Sequence, residues 1–300
     1  MEVLLINIDS KMPNLALKKI EKYHLDQGNE VIWDMPLARF IVDKIYVSCI
    51  FERNKKKCFD YEDDPKCLIG GSGYSLKINL PDEIESIKPH INLGFTTRGC
   101  IRHCEFCIVP EKEGRIRIVG DLLDLWDGTS KDIILLDNNI LALPKHFKFI
   151  CKQARENKIR LDFNQGLDCR LLDQDIVDEL KIIRHKELHF AFDELSYFNS
   201  VDRAITLLQK NGINRCNWLM LTGFNTDLKE DLFRANYLRS RNQVAFVMRY
   251  NNSKDRKLIP LSQWVNNRRW FQGMNFNQFL DMFENRKYRE LLDLPVGVIK

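Results

Sequence analysis

Residues 187–192 read ELHFAF, residues 200–212 read SVDRAITLLQKNG, and residues 217–221 read NWLML. The two outer runs are short and apolar, the length of buried strands. The middle one carries a helical period and closes on Gly212. Strand, helix and strand at this spacing predict a parallel pair joined by a crossover helix. The pattern repeats in both directions. Upstream come INLGFTT (91–97), DIILLD (132–137) and IRLDF (159–163) as strands. Helices are predicted around VGDLLDLWDG (119–128), HFKFICKQAREN (146–157) and DQDIVDELKIIR (173–184). Downstream, DLKEDLFRANYLRS (227–240) is a helix and QVAFVM (243–248) a sixth strand. Apolar strands that alternate with helices mean an α/β fold with a parallel sheet covered on both faces. Six units are too few for a closed eight-unit barrel, so residues 86–250 are expected to form an open partial (βα)6 barrel. In such folds ligands collect at the carboxyl ends of the strands.

Residues 1–85 form a smaller α/β unit of Rossmann-like kind. VLLINID (3–9), EVIWD (30–34) and KIYVSCIF (44–51) read as strands. NLALKKIEKYHLDQG (14–28) reads as an amphipathic helix, with Asn14 as its N-cap and Gly28 just past its end. NKKKCFDYEDDPK (54–66) has few apolar residues and is expected to be a solvated loop, and CLIGGSGYS (67–75) a short strand that runs into glycines. Residues 251–300 read as a helical extension rich in basic and aromatic residues, with Lys254, Arg256, Lys257, Arg268 and Arg269 among Trp264, Trp270 and Phe271. That mixture suits phosphate contact and base stacking, while helical spacing of Trp264, Arg268 and Phe271 suits packing on the barrel.

The chain has 300 residues, 44% of them apolar, and a net charge of +4. The charge permits an acidic partner without demanding one. No apolar run has membrane-spanning length, and the start, MEVLLINID, has no basic region of a secretion signal. Nine cysteines, an odd count, fit a reducing cytoplasm better than a disulfide framework. Cys151, Cys169 and Cys216 lie singly in apparent helices or strands and read as small buried residues.

Cys100, Cys104 and Cys107 differ in their spacing. They stand in RGCIRHCEFCIVP (98–110), in the loop after the first strand of the segment expected to form the barrel. Thiolates favour zinc, copper(I) or iron–sulfur clusters. A structural zinc site closes with four ligands, yet His103 adjoins Cys104 awkwardly and no second CxxC pair exists. A [4Fe–4S] cubane accommodates three thiolates and leaves one iron open.

CxxxCxxC with an aromatic residue before its last cysteine, here Phe106, resembles the signature of the radical S-adenosylmethionine superfamily. The resemblance covers about residues 90 to 250. It implies a [4Fe–4S] cluster on Cys100, Cys104 and Cys107 and S-adenosylmethionine chelated at the open iron. Reductive cleavage of its sulfonium then gives a 5′-deoxyadenosyl radical, which abstracts hydrogen from a substrate. Reduced flavodoxin or ferredoxin is the implied electron donor, and the substrate is left as RNA or a peptide.

The cofactor's other groups need partners. Where the superfamily often has Gly-Gly-Glu for the ammonium, this chain has LLDNNILA, which makes Asp137 and Asn138 the candidates. In DFNQGLDCR, Asn164 and Gln165 can bond ribose hydroxyls, and Arg170 can fork to a carboxylate. Phe106 and Gly223 are expected on the adenine side. Asp193, Arg249 and Tyr250, each at the end of an apolar strand, are the substrate-side and catalytic candidates. His103 and Glu105 are expected to face solvent, and EKEGRIR (111–117) to be a solvated connector.

The front unit resembles the cobalamin-binding-type Rossmann domain in degenerate form. The Asp-x-His-x-x-Gly motif that ligates cobalt is missing, and only the glycines of GGSGY match, so cobalamin is not expected. Methylthiotransferases hold an auxiliary cluster on three front-domain cysteines. Here Ser10 stands where the first would fall, and Cys49, Cys58 and Cys67 are spread around a charged loop, so a second iron–sulfur cluster is not expected either. Three functions stay open at this level: a radical enzyme of unidentified substrate, a methylthiotransferase-like or methyltransferase-like modification of RNA, and a non-catalytic zinc or electron-transfer protein.

Overall fold

The structure, a computed structural model, describes residues 1–250, 255–282, 285 and 287–292. The chain divides into two compact units, Met1–Asn138 and Asn139–Lys300. Both are mixed α/β with parallel strands.

Unit 1 opens with β1 (Glu2–Asn7), α1 (Leu15–Asp26), β2 (Glu30–Trp33), β3 (Lys44–Ser48) and, after a longer connection, β4 (Cys67–Gly70). They form one parallel sheet in the order β2-β1-β3-β4, with Leu4 of β1 level with Ile32 and Ile45. The unbroken apolar run of β1 has a physical reason: both of its faces are covered. Val3 and Leu5 pack with Leu17 and Ile20 of α1. Leu4 and Ile6 pack on the other face with Ala38, Val42, Cys49, Cys58 and Tyr61. Asn14 caps α1 as expected, its side chain accepting from Leu17 N at 3.2 Å, and Gly28 (φ 75°) follows the helix.

The stretch read as a solvated loop departs from that reading. Residues Glu52–Cys58 form a 3₁₀ helix and Phe59–Glu62 the short α2. Cys58 and Tyr61, three positions apart, fall on one side and are buried under the sheet, while the charged majority stays outside.

The rest of unit 1 comprises α3 (Asp82–Glu85), β5 (Leu93–Gly94), β6 (Thr97–Arg98), α4 (Val109–Lys112), β7 (Arg117–Ile118) and β8 (Asp132–Leu135). β5 pairs parallel with β8, and β6 antiparallel with β7. The helix predicted over residues 119–128 does not form. Its acidic side chains take up the backbone donors instead. Asp121 accepts from Leu123 N and Asp124 N, and Asp127 from Thr129 N and Ser130 N. Such local bonds offer the backbone an alternative to a helix.

Unit 2 comprises α5 (Pro144–Glu156), β9 (Arg160–Phe163), α6 (Gln174–Ile182), β10 (Arg184–His185), β11 (His189–Ala191), α7 (Phe198–Lys210), β12 (Asn217–Thr222), α8 (Leu228–Ser240) and β13 (Val244–Arg249). β9 pairs parallel with β10, and β11, β12 and β13 form a three-stranded parallel sheet. Phe190 and Trp218 stack in its core at 5.1 Å between ring centroids. The predicted alternation thus holds through this unit, with β10 an addition the sequence did not signal. Helices α9 (Leu258–Asn266), α10 (Arg268–Gly273), α11 (Phe276–Asp281) and α12 (Lys287–Leu291) follow. Trp264 and Phe271 are fully buried against each other and Phe276, so these aromatics are core residues and not a stacking surface. Arg268 pairs with Glu187. Lys254 lies outside the described residues. Among the described residues no helix is long and apolar enough to cross a membrane.

Candidate functional site

The three cysteines sit in a closed hairpin. β6 and β7 pair across its base, Thr97 with Ile118 and Arg98 with Arg117. Cys100 N donates to Gly114 O at 3.2 Å and Cys107 N to Cys104 O at 3.0 Å. Gly99 is the tight point, with φ 83° and no room for a side chain: a Cβ there would lie 2.4 Å from Arg115 O. Arg98 bridges the hairpin's two arms by an ion pair to Glu113 (3.5 Å) and a second to Glu85 (3.3 Å), its guanidinium resting 4.4 Å from the Phe95 ring centroid. Lys19 of α1 reaches the same Glu85 carboxylate at 3.1 Å. Residues 111–117, expected as a connector, are therefore the hairpin's return arm. Cys100, Cys104, Phe106 and Cys107 are half-buried, whereas His103 and Glu105 are exposed as expected. Cys49, Cys58, Cys151, Cys169 and Cys216 are buried, and burial pushes the Cys49, Cys151, Cys169 and Cys216 thiols up to about 12.

Asp137, at the carboxyl end of β8, holds the start of this hairpin. It is 4% exposed. One of its oxygens accepts from Thr96 N (3.2 Å), Thr96 Oγ1 (2.8 Å), Thr97 Oγ1 (2.6 Å) and Thr97 N. Burial pushes its carboxyl up from the usual range, and these donors pull against it. The residue read as an ammonium ligand is thus engaged with the cysteine loop. Beside it the amide nitrogen of Asn138 is buried and, among the described residues, meets no hydrogen-bond partner. A buried donor left open at a strand's carboxyl end fits a ligand acceptor such as a carboxylate or a ribose oxygen.

In unit 2 Asp193, Gly223, Arg249 and Tyr250 lie at the carboxyl ends of β11, β12 and β13, and Asn164, Gln165 and Arg170 follow β9. Asp193 accepts from Leu221 N at 2.9 Å. Burial raises its carboxyl from the usual range, against the Leu221 N–H, Arg234 and Arg170. Gly223 (φ 76°) ends β12, Arg249 is level with Thr222 and exposed, and Tyr250 meets Phe224 edge-on at 4.8 Å. Asn164 and Gln165 form the turn after β9, half-buried and exposed respectively. Arg170 forks onto Asp168 (2.7 and 3.2 Å) and lies 4.5 Å from the Tyr197 ring centroid. Its fork is committed within the protein.

No protein-family model matches the chain. It is 28% identical over 172 residues to the tRNA-2-methylthio-N(6)-dimethylallyladenosine synthase of Flavobacterium psychrophilum, covering 46% of this chain and 34% of that one. The synthase of the same name from Flavobacterium johnsoniae gives the same figures. That of Christiangramia forsetii is 23% identical over 305 aligned residues, covering 77% and 60% of the two chains. The chain resembles tRNA methylthio-adenosine synthases. It spans about a third of the length of the first two.

Four contributors escaped the sequence reading: Gly99, Arg98, the Thr96–Thr97 pair and Arg234. The glycine and arginine directly before the first cysteine were a usable signal. Arg234 gave none, since it stands in the middle of a helix. It is fully buried, donating to Phe192 O, Leu221 O (2.8 Å) and its ion-pair partner Asp231.

Proposed function

We propose that the protein is a radical S-adenosylmethionine enzyme acting on RNA, and that its barrel-forming segment is the open partial (βα)6 barrel of residues 86–250. The observation that carries the reading is the cysteine hairpin: three half-buried thiols on a loop anchored to a strand's carboxyl end. A structural zinc site closes with four ligands, whereas a cubane takes three thiolates, one to an iron, and leaves the fourth iron open. Held by Cys100, Cys104 and Cys107, a [4Fe–4S] cluster would supply the electron for reductive cleavage of S-adenosylmethionine. Asn138 offers its open amide to the cofactor's polar groups. Asp137 positions the cysteine loop, and Gly223 gives the adenine a strand end without a side chain. Asp193, Arg249 and Tyr250, at the ends of their strands, are the substrate-side candidates of this reading.

The printed names of the relatives make RNA the favoured substrate class. Methylthio transfer is the alternative within that reading; it needs a sulfur source beyond the one cluster on Cys100, Cys104 and Cys107, so iron well above about four per chain would mark it. We place no second cluster on Cys49, Cys58 and Cys67, because the first two are packed into the apolar face of the front sheet. Anaerobic reconstitution decides the main reading. The expected result is about four irons per chain and 5′-deoxyadenosine on addition of S-adenosylmethionine and dithionite, both lost in Cys104→Ala. A colourless protein that retains zinc would refute it. Mass spectrometry of nucleosides from RNA incubated with the loaded enzyme then identifies the modification.

A further inference from the structure

The carboxyl edge of a parallel sheet is where an α/β unit ordinarily takes a small ligand. In unit 1 the chain itself fills that edge. Asp9, just past β1, accepts from Ile50 N and Phe51 N, both at 2.9 Å, and from Asn54 Nδ2 at 3.1 Å. On the other side, Gly73 N donates to Cys49 O at 3.0 Å and Ser72 Oγ to Ile50 O at 3.3 Å. The two loops leave no gap. A Cβ on Gly71 would lie 2.2 Å from Cys49 O, and one on Gly73 2.4 Å from the Phe51 carbonyl carbon. A small cofactor has no crevice to enter between them, so what this edge offers a ligand is its outer surface.

That surface is aromatic and cationic. Phe51 is 45% exposed, with the Arg53 guanidinium 4.9 Å from its ring centroid. Lys55 Nζ stands 5.2 Å from the centroid of Tyr74, on the opposing loop. Lys11, Lys56, Lys57 and Lys77 are exposed nearby in sequence. Within residues 52–57 four cations stand against the single carboxylate of Glu52, so positive charge is concentrated beside Phe51, while Glu62 hydrogen-bonds with Tyr74. The segment that leaves Tyr74 runs to the cysteine hairpin. Lys112 of α4 donates to Leu76 O (3.1 Å), Ile78 O (2.6 Å) and Asn79 Oδ1 (2.9 Å).

We propose that this edge is a binding platform for single-stranded RNA, with Phe51 stacking on a base, Arg53 and Lys55 contacting phosphates, and Tyr74, packed on the sheet's core, holding Lys55 in place. The inference rests on the RNA reading above and locates where the strand is held. A fixed ring next to cations matches a polymer of flat bases joined by phosphates. An acidic peptide would use the cations and leave the ring idle. The Asp9 bonds fix the loop before any ligand arrives, so little order is lost on binding.

The test is direct binding of fluorescein-labelled single-stranded oligoadenylate to the reconstituted full chain, by anisotropy over a salt series. Arg53→Glu/Lys55→Glu should weaken binding more than tenfold and lower the slope of log K against log salt by about 1.4, two phosphates at about 0.7 each. Phe51→Ala should weaken binding about tenfold with its salt slope unchanged. Thermal midpoints and RNA-independent 5′-deoxyadenosine release should match the parent, which separates lost binding from lost folding. If the parent binds RNA and both variants bind equally well, the platform is refuted and the RNA reading stands. If the parent binds neither oligoadenylate nor a hairpin RNA, both fail. If polyglutamate competes as well as RNA of equal charge and Phe51→Ala changes nothing, the surface is an acidic-protein site and the platform is refuted.

Discussion

Gly99 and Asp137 hold the cysteine hairpin by opposite means, one by lacking a side chain and the other by the donors its side chain collects. A methyl group on Gly99 must both occupy a left-handed conformation and displace the Arg115 carbonyl, 2.4 Å away. Gly99→Ala is expected to destabilise the hairpin by about 1–3 kcal/mol, and reconstituted iron should fall well below the parent's value. Iron analysis alongside a urea melt checks this; unchanged iron would mean that the turn relaxes freely. Asp137→Asn keeps the shape and one oxygen for the Thr96 and Thr97 donors, but gives up the charge that strengthens those bonds. The expected cost is about 1–2 kcal/mol, read from denaturation, with iron uptake slowed because the loop's first residues are held less firmly. The cysteines themselves were legible in the sequence, since their spacing is local. Asp137's role was not, because its partners lie some forty positions upstream and only folding brings them together.

Between residue and molecule, two elements depend on a single charged side chain each. The loop Cys49–Asn54 is fastened by Asp9, whose carboxyl is raised by burial but brought net below the usual range by Ile50 N, Phe51 N and Asn54. A lowered folded pKa gives stability that is present above the unfolded value, about 3.9, and is lost as pH falls through the folded one. The stability gap between the parent and Asp9→Asn should therefore be widest at neutral pH and close below about pH 4. Urea midpoints for both proteins across that range test it, and a pH-independent gap would assign the loop's order to the glycine contacts. In unit 2, Arg234 of α8 clamps the ends of β11 and β12 through the Phe192 and Leu221 carbonyls. Arg234→Met leaves Asp231 buried without its partner and should cost about 3–5 kcal/mol. Asp231→Asn in the same chain should restore part of that. The strands here were readable because each is an apolar run of ordinary length. The helix expected over residues 119–128 was misread for a related reason: Leu122 and Leu125 have helical spacing and are buried, but flanking aspartates outcompete the helix for its N–H groups. The loop reading of residues 54–66 erred in reverse, since two inward residues in thirteen are too few to mark a period.

At the scale of the whole chain, each unit carries a core of its own. In unit 1 the front sheet is closed on both faces by residues far from the cysteines. The hairpin is pinned by Asp137, by the Arg98 bridge between Glu85 and Glu113, and by the Lys112 contacts, none of which uses a thiol. This differs from small zinc modules, where the metal supplies the folding energy and the apo chain is unfolded. The proposed cluster site is thus an addition to a fold that already stands. Replacing Cys100, Cys104 and Cys107 together by alanine should therefore remove iron and visible absorbance completely, yet change apo-state stability by less than about 1 kcal/mol, as expected for partly exposed sites that fill no core. Chelation of the parent should give the same apo melt. The decisive comparison is far-ultraviolet circular dichroism with a urea titration of the triple variant against the chelated parent. Coincident curves support a preformed hairpin that waits for its cluster. A triple variant that unfolds markedly earlier would mean that the thiols contribute to packing. A chelated parent that loses its secondary structure would mean that the cluster, and not the Asp137 and Arg98 contacts, orders this part of the chain.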